Sequence, residues 1–194
     1  FDRIASMEEV RIDDNVLFAA FVHVTDHSHQ YQDINTPVTM QGVFSKGPVH
    51  IKEGAWLAFG CHILSGVTIG KHSVVRSGSI IYSGVTVGDF FQSGHQITVR
   101  EGSRLGHHCS IGTLCDIQGH CNIGDYVRCH SNVHISQASN IGNYVWIYPY
   151  SVLTNDPIPP SGVEKGVTIH DFAVIATGSI LLPGIEVESD TLVA

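Results

Sequence analysis

The stretch Ile111-Gly112-Thr113-Leu114-Cys115-Asp116-Ile117-Gln118-Gly119-His120-Cys121-Asn122-Ile123 returns to the same pattern every six residues. An aliphatic residue stands at Ile111, Ile117 and Ile123, and four residues after each comes a small or β-branched one, Cys115, Cys121 and Val127. Reading outward in sixes from Ile51 to Leu153 gives 18 positions, of which 16 are Ile, Leu or Val; the exceptions are Ser93 and Cys129. A period of six matches neither a 3.6-residue helix nor a simple alternating strand. It matches a short extended face followed by a turn, with one aliphatic and one small side chain pointing inward. Glycine often follows the aliphatic, as at Gly70, Gly88, Gly106, Gly124 and Gly142, and is expected there to relieve the turn, where a Cβ would crowd the backbone. Three faces close an 18-residue coil, so residues 51–158 make six uninterrupted coils, a prism of roughly 29 Å at the strand spacing.

The pattern continues at Ile12, Phe18 and Val24 and again at Ile169, Ile175, Leu181 and Val187, but out of phase with the central run. Two insertions, at about 26–47 and 155–166, account for the shifts, and repeat arrays carry such insertions on their surface. The expectation is a single all-β domain over residues 1–194. Because the chain starts and stops in mid-pattern, it reads as a fragment with a trimmed C-terminal end.

Composition narrows the function. Charged residues make up only 14%, and Asp and Glu outnumber Lys and Arg by 18 to 10. That balance argues against a nucleic-acid partner, which needs clustered cations. No run approaches 18 apolar residues, so no membrane span is expected. Cys61, Cys109, Cys115 and Cys121 occupy the inward small slot and read as core thiols; with Cys129 they form no CxxC pair, and no signal segment is visible, which suggests a cytoplasmic protein. Most of the 13 histidines fall at outward or turn positions. His72 and His108 share a coil phase but lie two coils apart, roughly 10 Å, so no metal site is expected.

The repeat resembles the hexapeptide-repeat acyltransferases, which fold as a left-handed parallel β-helix. The left hand rests on that resemblance alone, since the general crossover rule gives the opposite one. The resemblance implies acetyl-CoA as acyl donor and a homotrimer with sites between subunits. The first insertion, from Thr25-Asp26-His27-Ser28-His29 to Pro37-Val38, with Gly54-Ala55-Trp56-Leu57 after it, looks like the sugar O-acetyltransferases. There the His at the start of the insertion is the general base, which maps onto His27; Asp26, His29 or Asp33 could orient it. Ala58 stands where that subfamily has glycine.

The second insertion, Leu153-Thr154-Asn155-Asp156-Pro157, with His130-Ser131-Asn132-Val133-His134 upstream, is similar to the N-acetyltransferases of nucleotide-linked amino sugars. The resemblance maps the residue holding the sugar onto Asn155 and an assisting histidine onto His130. Register places His134 nearer to Asn155 within one chain. Ala176 and Thr177 fall beside the pantetheine by the same resemblance. Outward Trp146, Tyr148 and Tyr150 suggest a subunit interface or, for one ring, stacking on the CoA base. The leading expectation is acetyl transfer to an amino-sugar amine at Asn155 with His130 or His134. The rivals are sugar O-acetylation at His27 and a non-catalytic or carbonic-anhydrase-like β-helix.

Overall fold

A computed structural model describes residues 2–194. Its strands are two or three residues long and lie in three parallel sheets of nine strands, with one strand of each sheet in every rung. The first sheet runs from Arg3–Ala5 through His23–Thr25 and His62–Ile63 to Ile180–Leu181. The second holds Val49–Ile51 and Thr68–Ile69, the third Trp56–Leu57 and Val74–Val75. Thr68 faces Thr86, Thr86 faces Arg104 and Arg104 faces Asn122, an 18-residue register. The coil winds left-handed. The aliphatic column fills the prism: Ile51, Leu57, Ile63, Ile69, Ile81, Ile117 and Ile135 are fully buried. Strands succeed one another every six residues from Val49–Ile51 to Val152–Leu153. Ser28–His29 and Val43–Phe44 pair antiparallel as a hairpin within the first insertion.

The small inward slot does more than fill space. Its hydroxyls and thiols donate to turn carbonyls 15 residues on: Ser73 Oγ to Gly88 O at 3.2 Å, Cys109 Sγ to Gly124 O at 3.0 Å and Cys115 Sγ to His130 O at 2.9 Å. Burial pushes the Cys109, Cys115 and Cys121 thiols up to about 11, so they stay protonated and can donate.

The glycines after the aliphatic residues stand, as expected, where a Cβ would crowd the backbone. Gly70 and Gly88 do not adopt the left-handed region; a Cβ on Gly70 would lie 2.3 Å from the Gly88 carbonyl one rung up. Close approach of successive rungs demands them. The left-handed residue comes two positions later, at His72, Phe90, His108, Leu114, Tyr126 and Tyr144. There the side chain projects from the corner and the tight turn fixes φ. Left-handed backbone costs about 1–2 kcal/mol for an L-residue, so Leu114→Gly is expected to stabilise the fold by about 1 kcal/mol despite its freer unfolded chain. Denaturant melts check the sign.

Five of these corner residues and Phe172, which shares their left-handed backbone, stack as one column, His72–Phe90–His108–Tyr126–Tyr144–Phe172, with ring centroids 4.6–5.4 Å apart. His72 and His108 are therefore separated by the Phe90 ring. The column crosses the second insertion without a break, because the Lys165 N–H bonds to Asn155 O at 2.7 Å and the rung resumes at Thr168–Ile169.

Candidate active site

The first insertion leaves the first sheet after Thr25, and the turn there places Asp26 inside the protein. Asp26 is fully buried. It is held by the chain's opening turn: Ser6 Oγ donates at 3.0 Å, Met7 N–H at 2.7 Å and Glu8 N–H at 2.7 Å. A further contact joins Asp26 Oδ1 to His27 Nδ1 at 2.9 Å. Burial pushes the Asp26 carboxyl up, but these hydrogen bonds outweigh it and hold its pKa well below the usual carboxylate range. An ionised Asp26 can only accept, so His27 Nδ1 carries the proton and Nε2 keeps a free lone pair. Of the three residues that could orient His27, the structure selects Asp26. Asp33 instead accepts from Asn35 N–H and Thr36 Oγ, and His29 pairs across the hairpin with Val43.

The buried carboxylate has a consequence for stability. Its folded pKa is depressed, so its contribution is present above the unfolded carboxyl's range, about pH 4, and drains as pH falls toward the folded value. Wild type is therefore expected to begin losing its stability advantage over Asp26→Asn below about pH 5 and to keep losing it at every lower pH, with a substantial part still present at about pH 3, read from melting curves on acid titration.

His27 opens onto a cleft of about 480 Å³ between the outward face of the first sheet and the hairpin. Arg3, His23, His62 and Tyr82 rise from four successive rungs, Lys46 comes from the hairpin's exit, and Glu101 closes the far side. Burial first, then the charges of His62, Arg3 and His27, push the His23 imidazole below its ordinary value. Burial raises the Glu101 carboxyl, but its own N–H and Arg100 at 3.2 Å more than reverse the shift.

A model of bacterial transferase hexapeptide (six repeats) matches residues 48–83. A Mycobacterium tuberculosis protein assigned as an acetyltransferase is 33% identical over 73 residues, covering 38% of this chain and 24% of its own length; the chain thus spans about a quarter of that relative. Among solved structures, a Bacillus cereus protein assigned as an acetyltransferase superposes with a TM-score of 0.55 at 16% identity, covering 77% of this chain and 76% of that one. The repeat, the matched segment and the coil agree. The chain carries the bacterial transferase hexapeptide repeat over residues 48–83 and folds as a left-handed parallel β-helix.

In this hexapeptide-repeat protein the second set of expected residues is spread over two faces. His134 lies on the first sheet, facing Asp116 below and Val152 above, with Nδ1 3.2 Å from Asp116 Oδ2. Thr98 and Gln118 also donate to Asp116, so His134 has an oriented ring on open sheet. Asn155 sits three residues past Val152 and gives its carbonyl to Lys165. His130 stands at the corner between the third and first sheets, where it stacks on Tyr148 at 5.0 Å. Ala176 occupies the same corner two rungs above His130 and one above Tyr148, whose N–H bonds to Ile175 O. Thr177 is exposed beside Gly178, where an added Cβ would meet nothing within 4 Å. Trp146 lies on the third sheet under the Arg128 guanidinium, 5.0 Å from its ring centre. Among the described residues no hydrogen bond joins Asn155's side chain to His130 or His134, and none of the three lines the His27 cleft.

A larger groove of about 680 Å³ crosses the second sheet over Gly106, Gly124 and Gly142. Several of its polar groups are already engaged: Asn122 donates to Asn140 at 3.1 Å, and Asn143 and His170 bond outside the groove to Asp171 and Glu186. It offers no free base aimed at a reacting group. Among the described residues no three His, Cys, Asp or Glu side chains converge as a metal would need. The sequence reading missed His23, His62, Lys46 and Tyr82 as cleft residues. Their signal was phase: carrying the register across the first insertion puts His62 above His23.

Proposed function

We propose that this protein transfers an acyl group from acetyl-CoA to a hydroxyl of a sugar-like acceptor, with His27 as general base. The observation that carries the reading is the Asp26–His27 pair, a desolvated carboxylate fixing one imidazole tautomer at the wall of a cleft. As the acceptor oxygen attacks the thioester carbonyl, His27 Nε2 takes the hydroxyl proton, and the Asp26 carboxylate stabilises the imidazolium. When the C–S bond breaks, that proton passes to the departing thiolate, which restores His27 for the next cycle. Ala176, Thr177 and Trp146 lie five to six rungs above the His27 cleft, roughly 24–29 Å along the axis, so they are proposed to hold the donor in the second reading below; in either reading the sites are proposed to lie between subunits of a homotrimer. Five unpaired cysteines suit a reducing compartment such as the cytoplasm.

A second reading has its own support. The Asp116–His134 pair on the same sheet, with Asn155 one turn on, could serve an amino-sugar amine, which needs positioning more than a strong base. Glucose and glucosamine, offered separately with acetyl-CoA, distinguish the two. The His27 reading expects an ester on glucose whose formation requires His27. An amide on glucosamine that requires Asn155 and survives His27→Ala would replace it with the second reading.

A further inference from the structure

The cleft has a charge opposite to that of the chain. Acidic residues outnumber Lys and Arg over the whole sequence, yet the cleft presents Arg3 and Lys46 against one exposed-side carboxylate, Glu101, which already holds Arg100. Asp26 is fully buried behind His27 with its oxygens engaged by Ser6, Met7, Glu8 and His27.

Register makes the arrangement more specific. Arg3 pairs with His23, and His23 pairs with His62. Three basic side chains therefore stand in one outward column on successive rungs, at steps of about 4.8 Å. Like charges directly opposite on neighbouring strands are destabilising. The His23 and His62 rings meet edge to face at 5.5 Å, and burial, with the charges of His62 and Arg3 adding to it, disfavours the charged form of His23. Among the described residues no ion pair engages Arg3, His23, His62 or Lys46. An arrangement that costs stability in the empty cleft gains from an anion placed over it, where a guanidinium and imidazole N–H groups give charge-assisted hydrogen bonds.

We propose that Arg3, His23, His62 and Lys46 form a subsite for an anionic group, a carboxylate or a phosphate, carried by the acceptor alcohol whose hydroxyl reaches His27. This rests on the reading of His27 as the base and adds the acceptor's class to it.

Acetyl transfer is to be measured with glucose, glucuronate and glucose 6-phosphate for wild type, Arg3→Gln, Lys46→Gln and Arg3→Lys. Wild type is expected to favour one or both anionic sugars over glucose by about tenfold or more in kcat/KM. Each Gln variant should lose most of that preference through acceptor KM, Arg3→Lys should retain part of it, and the KM for acetyl-CoA should stay within about twofold. A carboxylate and a phosphate are told apart by which sugar is preferred. No anionic preference in wild type, a preference that survives both Gln variants, or a change confined to the acetyl-CoA KM overturns the subsite, the last because it assigns these cations to the donor's phosphates.

A second arm needs no turnover. Glucuronate and inorganic phosphate are titrated into the His27→Ala protein while the ring protons of His23 and His62 are followed by NMR. Saturable shifts that disappear in the Arg3→Gln, Lys46→Gln background support the subsite; the absence of shifts with both probes overturns it. Full acetyl transfer by His27→Ala together with such binding would remove the base assignment and leave the subsite standing.

Discussion

His27→Ala is expected to lower kcat/KM for acetyl transfer by roughly 10²- to 10⁴-fold, with its melting curve close to that of wild type. Its ring is partly open to the cleft, with a side-chain exposure of 25%, so truncation empties little of the core. Asp26 keeps its bonds from Ser6, Met7 and Glu8, so no buried charge is left without donors. Asp26→Asn should also impair transfer, by another route. An amide can donate to His27 Nδ1 and so favour the tautomer with its proton on Nε2, where the hydroxyl proton must go. The two variants then differ in a readable way: both lose rate, but Asp26→Asn removes the acid-dependent contribution whole, whereas His27→Ala leaves the part held by Ser6, Met7 and Glu8. Steady-state kinetics with purified proteins check the first effect. Activity of His27→Ala within a few fold of wild type would place the chemistry elsewhere.

Ile117→Ala carries the largest expected effect on folding, a loss of about 2–5 kcal/mol. Ile117 is fully buried in the first sheet, between Val99 below and Ile135 above. Each rung contacts only its neighbours, so the prism has no other element that can move in to fill the gap. Ile34→Ala, at the tip of the first insertion where the side chain is 94% exposed, should change stability by less than about 0.5 kcal/mol. Paired urea melts of the two variants check the difference. Equal losses would mean that the six-residue aliphatic column is not what holds the coil together.

The fold was legible because each rung repeats the same local solution. Ile111, Ile117 and Ile123 needed only their spacing to be placed inside, and the two breaks of phase located both insertions. At Gly70 and Gly88 the crowding of a Cβ against backbone was legible, but not that the backbone it meets belongs to the next rung. Glycine required by left-handed φ and glycine required by backbone contact look alike in a sequence, and only the 2.3 Å approach between rungs separates them. The corner column of His72, Phe90, His108, Tyr126, Tyr144 and Phe172 was hidden for the opposite reason. A tight turn forces φ there on many residue types, so no single type marks it.

The candidate site was legible only in part. His27 stood out at the start of an insertion, and Asp26 was one of three candidate partners; choosing among them required the opening turn at Ser6–Glu8, which sequence spacing could not bring near. The basic column was concealed by register. Arg3 and His23 are 20 residues apart and His23 and His62 are 39 apart, so neither interval shows the 18-residue period. His62, read alone, was one more outward histidine. For the second insertion, His134 was correctly placed on the sheet beneath the loop, but its Asp116 partner came into view only with the pairing of rungs.

A crystal structure of the protein with CoA and a hydroxyl acceptor analogue tests the central claim most directly. The account predicts the thiol sulfur in the cleft beside His27, with the analogue's hydroxyl on Nε2. A thiol seated instead over Asn155, with the His27 cleft holding neither ligand, would contradict it.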